Sequence, residues 1–166
     1  MTPVIKWIKH IISEYLLSAL LAIVLVFIMN QFIIISLISG SSMYPTILNG
    51  DIAIFSKINL DEIKEGDIVA LRHNDEYLVK RVIALDGDKV RIVEDGILVN
   101  GEKIIDETQE LRIYMSELDY SLGDGEIFVV GDNSIVSYDS RMFGPVSKTS
   151  VLGKYVFRFS LSSLIR

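Results

Sequence analysis

The sequence predicts a mostly β fold, an antiparallel β-sheet or partly closed barrel, behind one N-terminal transmembrane helix. Three observations carry that prediction. Residues 15–38 contain no charged side chain, although 23% of the 166 residues are Asp, Glu, Lys or Arg. From residue 50 onward the chain is a series of short β-branched runs separated by turn residues. Helical periodicity is weak across those runs, and proline occurs only at positions 3, 45 and 145, outside them. The mean hydropathy of +0.41 therefore averages two unlike parts.

The first part is the apolar stretch. It runs over residues 15–29, is interrupted by Asn30 and Gln31, and resumes over 32–38. At about 1.5 Å per helical residue, a hydrocarbon core ~30 Å thick needs roughly 20 residues, which this stretch supplies. It exceeds the ~7–15 residues of a secretory h-region, so a retained span is preferred to a cleaved signal peptide or a buried core helix. Lys6 and Lys9 precede it and the next cation is Lys57, which places the amino terminus in the cytoplasm. The expected organisation is a cytoplasmic N-terminus over 1–14, a transmembrane helix and membrane-proximal lead-in over 15–38, and an extracytoplasmic β domain over 39–166. Trp7 suits the cytoplasmic interface.

Before residue 39 the ionised side chains are Lys6, Lys9 and Glu14, which leaves 14 basic and 21 acidic residues, a net −7, for residues 39–166. Such a domain is a poor nucleic-acid binder, since neutralising phosphates needs clustered cations. Cysteine is absent, which excludes disulfides, zinc–thiolate sites and cysteine nucleophiles together. Two histidines are too few for most metal sites.

Strands are expected over 52–55, 67–72, 76–85, 89–93, 97–99, 103–105, 126–130 and 151–159. Asp86-Gly87, Asp95-Gly96 and Asn100-Gly101 favour the left-handed dihedrals of tight hairpin turns. Residues 111–125 are polar and turn-rich, an excursion between strands that leaves room for a short helix.

Three segments hold the informative chemistry. Residues 39–46, SGSSMYPT, follow the span directly and offer serine hydroxyls, which are weak nucleophiles unless a base takes the proton. The candidate bases are His10 before the span, His73 in an exposed-looking turn assigned to solvent, and Lys80 within the strand EYLVKRVIAL. Alternation puts Lys80 on the same face as Leu78, Val82 and Ala84. Burial there disfavours the ammonium, and a drop of about two units from ~10.4 leaves a useful neutral fraction near neutral pH. The alternative is a lysine whose stem packs while its amine reaches water. Residues 131–146, GDNSIVSYDSRMFGPV, supply Ser134, Ser137, Ser140, Asp132, Asp139 and Arg141, and by themselves read equally as polar turns with one Asp–Arg pair.

Together, SMYPT at 42–46, YLVKRVIALDGDKV at 77–90 and the GDN...S.DSR..G.V pattern at 131–146 resemble bacterial type I signal peptidase, in its short Gram-positive-like form. The resemblance spans the anchor and nearly all of the soluble part. It implies Ser42 as nucleophile, with its backbone amide in the oxyanion hole, and Lys80 as general base. It implies Ser137 beside the lysine, Asp139 with Arg141 as a supporting ion pair, and Asp132 of the GDN box paired with Arg81. Two departures stand out: Gly40 occupies the place where some members have a second oxyanion serine, and Ser134 follows the GDN box where Arg is more usual.

The implied activity is a membrane serine endopeptidase that removes signal peptides through an acyl-enzyme, with no cofactor or metal. Its implied partners are preproteins with small residues before the cut, and membrane lipid. Parts of 35–38 and 52–55 are expected to line the pockets that read those residues, while Met43 and Tyr44 face lipid or substrate or else pack against the domain. The competing readings are a Ser-Lys self-cleaving regulator of the LexA type, which would carry an N-terminal DNA-binding domain where this chain has a span, and a non-catalytic membrane-anchored β binding module.

Overall fold

The structure, a computed structural model, describes residues 3–94, 96–106 and 117–160. Asp95 of one expected turn and residues 111–116 of the expected excursion lie outside the described residues. Two compact units are present, Met1–Ile33 and Ile34–Arg166.

The first unit is the helix α1 (Pro3–Phe32). Pro3 stands at its first position, where the missing N–H is not needed. Its portion Ile12–Phe32 is the one helix among the described residues long and apolar enough to cross a membrane, and none of that window is buried in protein. Leu16, Leu20, Val24 and Phe27 are all exposed. A helix apolar all round and uncovered by protein has hydrocarbon as its natural solvent.

The helix begins earlier and stops sooner than the apolar stretch. Residues 33–37 are a strand, β1 (Ile33–Leu37), because consecutive β-branched Ile33, Ile34 and Ile35 fit an extended backbone that a neighbouring strand can pair. The neighbour is β2 (Ile52–Ser56). With β3 (Ile68–His73), β4 (Glu76–Ala84), β9 (Glu126–Val130), β10 (Val146–Ser147) and β11 (Val151–Phe159), they form a seven-stranded sheet ordered β1-β2-β11-β3-β4-β9-β10. A second sheet, ordered β7-β6-β5-β8, comprises β5 (Lys89–Val93), β6 (Gly96–Val99), β7 (Glu102–Asp106) and β8 (Leu118–Ser121). The ladders β2–β11, β11–β3, β3–β4, β4–β9 and β9–β10 are all antiparallel, as are those of the smaller sheet. The larger sheet has β1 and β10 at its edges, and no ladder joins them among the described residues.

Turn chemistry sets the hairpins. Asn100 and Gly101 both have positive φ, as a two-residue turn between paired strands requires. Asn74 and Asp75 do the same between β3 and β4, where asparagine and aspartate tolerate the left-handed region. Strand β8 falls in the expected excursion, and its four residues are too few to announce themselves in a polar context. Arg91 and Asp119 face each other across its ladder and are ion-paired at 2.6 Å, and Tyr120 packs its ring 5.5 Å from Phe128.

Three apolar clusters fill the second unit. One joins Val69, Leu71, Val82, Ile127 and Val129 on adjacent strands of the larger sheet. One joins Val90, Ile92, Ile97 and Phe128, tying the smaller sheet to β9. The third packs Met43 and Ile47 with Ile38, Ala53, Phe55 and Ile68. Burying each such side chain contributes about 1.5–3 kcal/mol, so the third cluster anchors an otherwise irregular segment. Met43 is thus core, 2% exposed, whereas Tyr44 is exposed.

Candidate active site

Ser42 lies in that irregular segment, in a tight turn closed by Tyr44 N–H donating to Ser41 O at 3.1 Å and Ile47 N–H donating to Met43 O at 2.9 Å. Lys80 lies in the middle of β4, opposite Val69 of β3. Its side chain is buried, 3% exposed, and its Nζ is 2.9 Å from Ser42 Oγ. Burial pushes the Lys80 amine below the ordinary lysine value; nearby Asp139 opposes that shift and nearby Arg141 adds to it. The amine is therefore held in reach of a hydroxyl, in surroundings that favour its neutral form.

The loop after β9 closes over this pair. Gly131 is where it comes nearest: a Cβ there would clash with Ser137 Oγ and come within 2.6 Å of both Ser137 Cβ and Ser42 O. Only glycine lets the two backbones meet so closely. Asn133 N–H donates to Ser42 O at 2.9 Å, and its Nδ2 donates to Ser41 O at 3.2 Å. Asn133 belongs to the GDN box, yet the sequence assigned it no role; the missing signal is a long-range hydrogen bond, which no spacing rule encodes.

Asp139 and Arg141 form a bidentate ion pair, Nε to Oδ1 at 2.8 Å and Nη2 to Oδ2 at 2.7 Å, both side chains essentially inaccessible. Asp139 caps the short helix α2 (Ser140–Phe143) by accepting from Arg141 N–H, and it also accepts from Gly131 N–H at 2.8 Å. One carboxylate thus fixes both ends of the loop. Ser140 Oγ accepts from Val129 N–H at 3.0 Å and pins the helix to β9. Ser137 is buried against Gly131, and its Oγ has no hydrogen-bond partner among the described residues.

Arg81, next to Lys80 on β4, points to the other side of the strand. Its Nε and Nη2 each donate to Asp132 at 2.7 Å, and its Nη1 donates to Gly66 O at 2.8 Å. Donating these hydrogen bonds to Asp132 holds the Arg81 guanidinium firmly charged. Thr46 Oγ1 donates to Asp132 in turn, so the Ser42 turn and the GDN box share this carboxylate. His73 departs from its assignment to solvent: it is half-buried, its ring stacked 4.1 Å from that of Phe143.

A cavity of about 330 Å³ opens beside the pair. Ile34, Ile38, Phe55, Ala70, Val79 and Leu152 supply apolar walls, and Ser42 and Lys80 stand on its lining. Of the expected segments, residues 36–38 and Phe55 reach it; Ala53 is core instead.

An uncovered apolar span followed by an antiparallel β domain, with a serine hydroxyl on a buried amine, describes the class of membrane serine peptidases. Comparison with known proteins narrows it. The family described as "Signal peptidase, peptidase S26" matches residues 12–160. Signal peptidase IB of Staphylococcus aureus (strain COL) is 32% identical over 174 residues, covering 91% of each chain. Signal peptidase I of Bacillus caldolyticus is 36% identical over 141 residues, covering 74% of this chain and 76% of that one. A crystal structure of a signal peptidase I from Enterococcus faecalis V583 is similar with a TM-score of 0.48 and 26% identity, over 58% of this chain and 97% of that one. The chain belongs to the signal peptidase family, peptidase S26.

Proposed function

We propose that this chain is a membrane-bound serine endopeptidase that removes signal peptides from preproteins, with Ser42 as nucleophile and Lys80 as general base. The observation that carries the reading is the 2.9 Å approach of Lys80 Nζ to Ser42 Oγ, with the amine buried. Neutral Lys80 takes the hydroxyl proton as Ser42 Oγ attacks the scissile carbonyl, then gives that proton to the leaving amine. It next activates water to hydrolyse the ester. The Ser42 backbone N–H serves the developing oxyanion, a kind of donor worth about 2.7–4 kcal/mol. Gly40 brings no hydroxyl to this task.

The Asp139–Arg141 pair and Gly131 set the loop that backs the dyad, while Arg81, Asp132 and Thr46 brace its other side. Ser137, buried beside Gly131, is assigned a supporting place next to the dyad, because its buried Oγ has no hydrogen-bond partner among the described residues. The apolar cavity beside Ser42 suits short uncharged side chains, which supports Ala-like residues before the cut. The topology we assign is one span with residues 1–14 cytoplasmic and 39–166 on the far side, supported by Lys6 and Lys9 ahead of the span. The self-cleaving regulator and the non-catalytic module are both disfavoured by family membership.

The test is incubation of the detergent-solubilised protein with a preprotein, followed by sequencing of the new amino terminus. A single cut after a small residue is expected, and no cut, or cuts scattered through the mature region, would overturn the reading.

A further inference from the structure

Catalysis by a serine hydroxyl demands placement to a fraction of an ångström, and a misplacement of about 1 Å can cost 10²-fold. Ser42 nevertheless sits outside any strand, in the segment 38–51 that leaves β1 and returns to β2. The two limbs of that segment meet at its base. Ile38 N–H donates to Asp51 O at 2.8 Å, and Gly50 N–H donates to Ile38 O at 2.9 Å. A second tie lies nearer the nucleophile, where Gly40 N–H donates to Asn49 Oδ1 at 3.0 Å.

The side chain of Asp51 is the unusual part. It is 2% exposed, and its Oδ2 accepts both from Leu48 N–H at 2.8 Å and from Arg158 Nη1 at 2.5 Å. Arg158 stands on β11 opposite Ala53 of β2, so the pair fastens the returning limb of the loop to the third strand of the sheet. A buried carboxylate is costly unless fully paired, and an apolar pair of similar volume would hold two strands about as well. What a charged pair adds is direction. Leu48 N–H, Asp51 and Arg158 are locked in one geometry that an apolar contact would leave free to slide.

We propose that Asp51 and Arg158 are positioning residues for the nucleophile: their ion pair, with Asn49 as a lesser tie, fixes the backbone path of residues 38–42 and so the approach of Ser42 Oγ to Lys80. Neither lines the cavity that holds the dyad. The inference rests on Ser42 being the nucleophile.

The test compares the full-length wild type with Arg158→Gln, Arg158→Lys and Asn49→Ala, at a temperature where each is fully folded by circular dichroism. Steady-state cleavage of a preprotein peptide and amide hydrogen exchange are read on the same proteins. Arg158→Gln is expected to lower kcat at least about ten-fold with KM within about three-fold, and to speed exchange at Leu48 and Gly40. Arg158→Lys should recover much of the lost kcat, because the charge survives. Asn49→Ala should give a smaller fall in kcat with an unchanged unfolding temperature. A purely structural pair would lower the unfolding temperature and leave kcat of the folded enzyme within about two-fold, which overturns the proposal. So would a rise in KM alone, or unchanged exchange at Leu48. Faster exchange in the variant of a wild type that cleaves no preprotein would sink the proposed function and leave the anchoring of the loop standing.

Discussion

Lys80 Nζ and Ser42 Oγ stand 2.9 Å apart although 38 residues separate them in sequence. The β3–β4 ladder fixes the lysine, and the packing of Met43 and Ile47 fixes the serine. Each residue is carried by packed neighbours, so the encounter is built into the fold. The result is an amine withdrawn from water with a hydroxyl in hydrogen-bond reach.

Replacing Ser42 or Lys80 with alanine should abolish preprotein processing, with losses of up to ~10⁶ in turnover as for other hydrolase nucleophiles and bases. Near-native circular dichroism should accompany the loss. Ser41→Ala should keep most of the activity, and its complete inactivity would move the nucleophile to the wrong neighbour.

Burial lowers the Lys80 pKa, so the proportion of neutral amine, and with it kcat/KM, should climb with pH through an apparent value below that of a free lysine. A rate flat from mildly acidic to alkaline pH would exclude Lys80 as base.

The same shift has a consequence for stability. The unfolded chain binds a proton at Lys80 that the folded chain resists, so the native state gains stability as pH rises from the depressed folded value to the ordinary lysine value. Lys80→Met removes that cost. Urea unfolding should show the variant more stable than wild type at the acid end of this window, with the difference shrinking toward the alkaline end.

Breaking the Asp139–Arg141 pair leaves one buried charge alone, at a cost of about 3–5 kcal/mol. Arg141→Met or Asp139→Ala should therefore lower the unfolding temperature by several degrees at least, whereas the exposed Arg91–Asp119 pair should be worth little when Arg91 is replaced. Equal effects at the two sites, read by thermal unfolding, would contradict this.

Gly131→Ala is the sharpest steric test. The added methyl meets Ser137 and the Ser42 carbonyl, so the loop must retreat from Ser42. A destabilisation of about 1–3 kcal/mol and a large loss of kcat are expected, measured by urea unfolding and preprotein cleavage. Wild-type turnover in this variant would show that the loop does not position Ser42.

Much of the molecule was legible in advance. The charge-free stretch marked the span, and β-branched runs between turn residues marked eight of the eleven described strands well enough to place Lys80 on an inward face. Strands β1, β8 and β10 were not legible: the first reads as membrane-apolar until a partner claims its backbone, and the other two are only four and two residues long. His73 looked solvent-facing because its stacking partner, Phe143, is 70 positions away.

By itself the sequence determined which groups are available: one hydroxyl-rich turn after an apolar span, one lysine on an apolar strand face, and a loop rich in carboxylates, serines and an arginine. Alternation and composition are local properties, readable without a fold. Only the tertiary structure decided which of those groups meet. It put the amine of Lys80 on Ser42, Asn133 on the Ser42 carbonyl, and Asp51 on Arg158. Those pairings depend on strand order and register, which arise from burying many side chains at once and are written in no single segment.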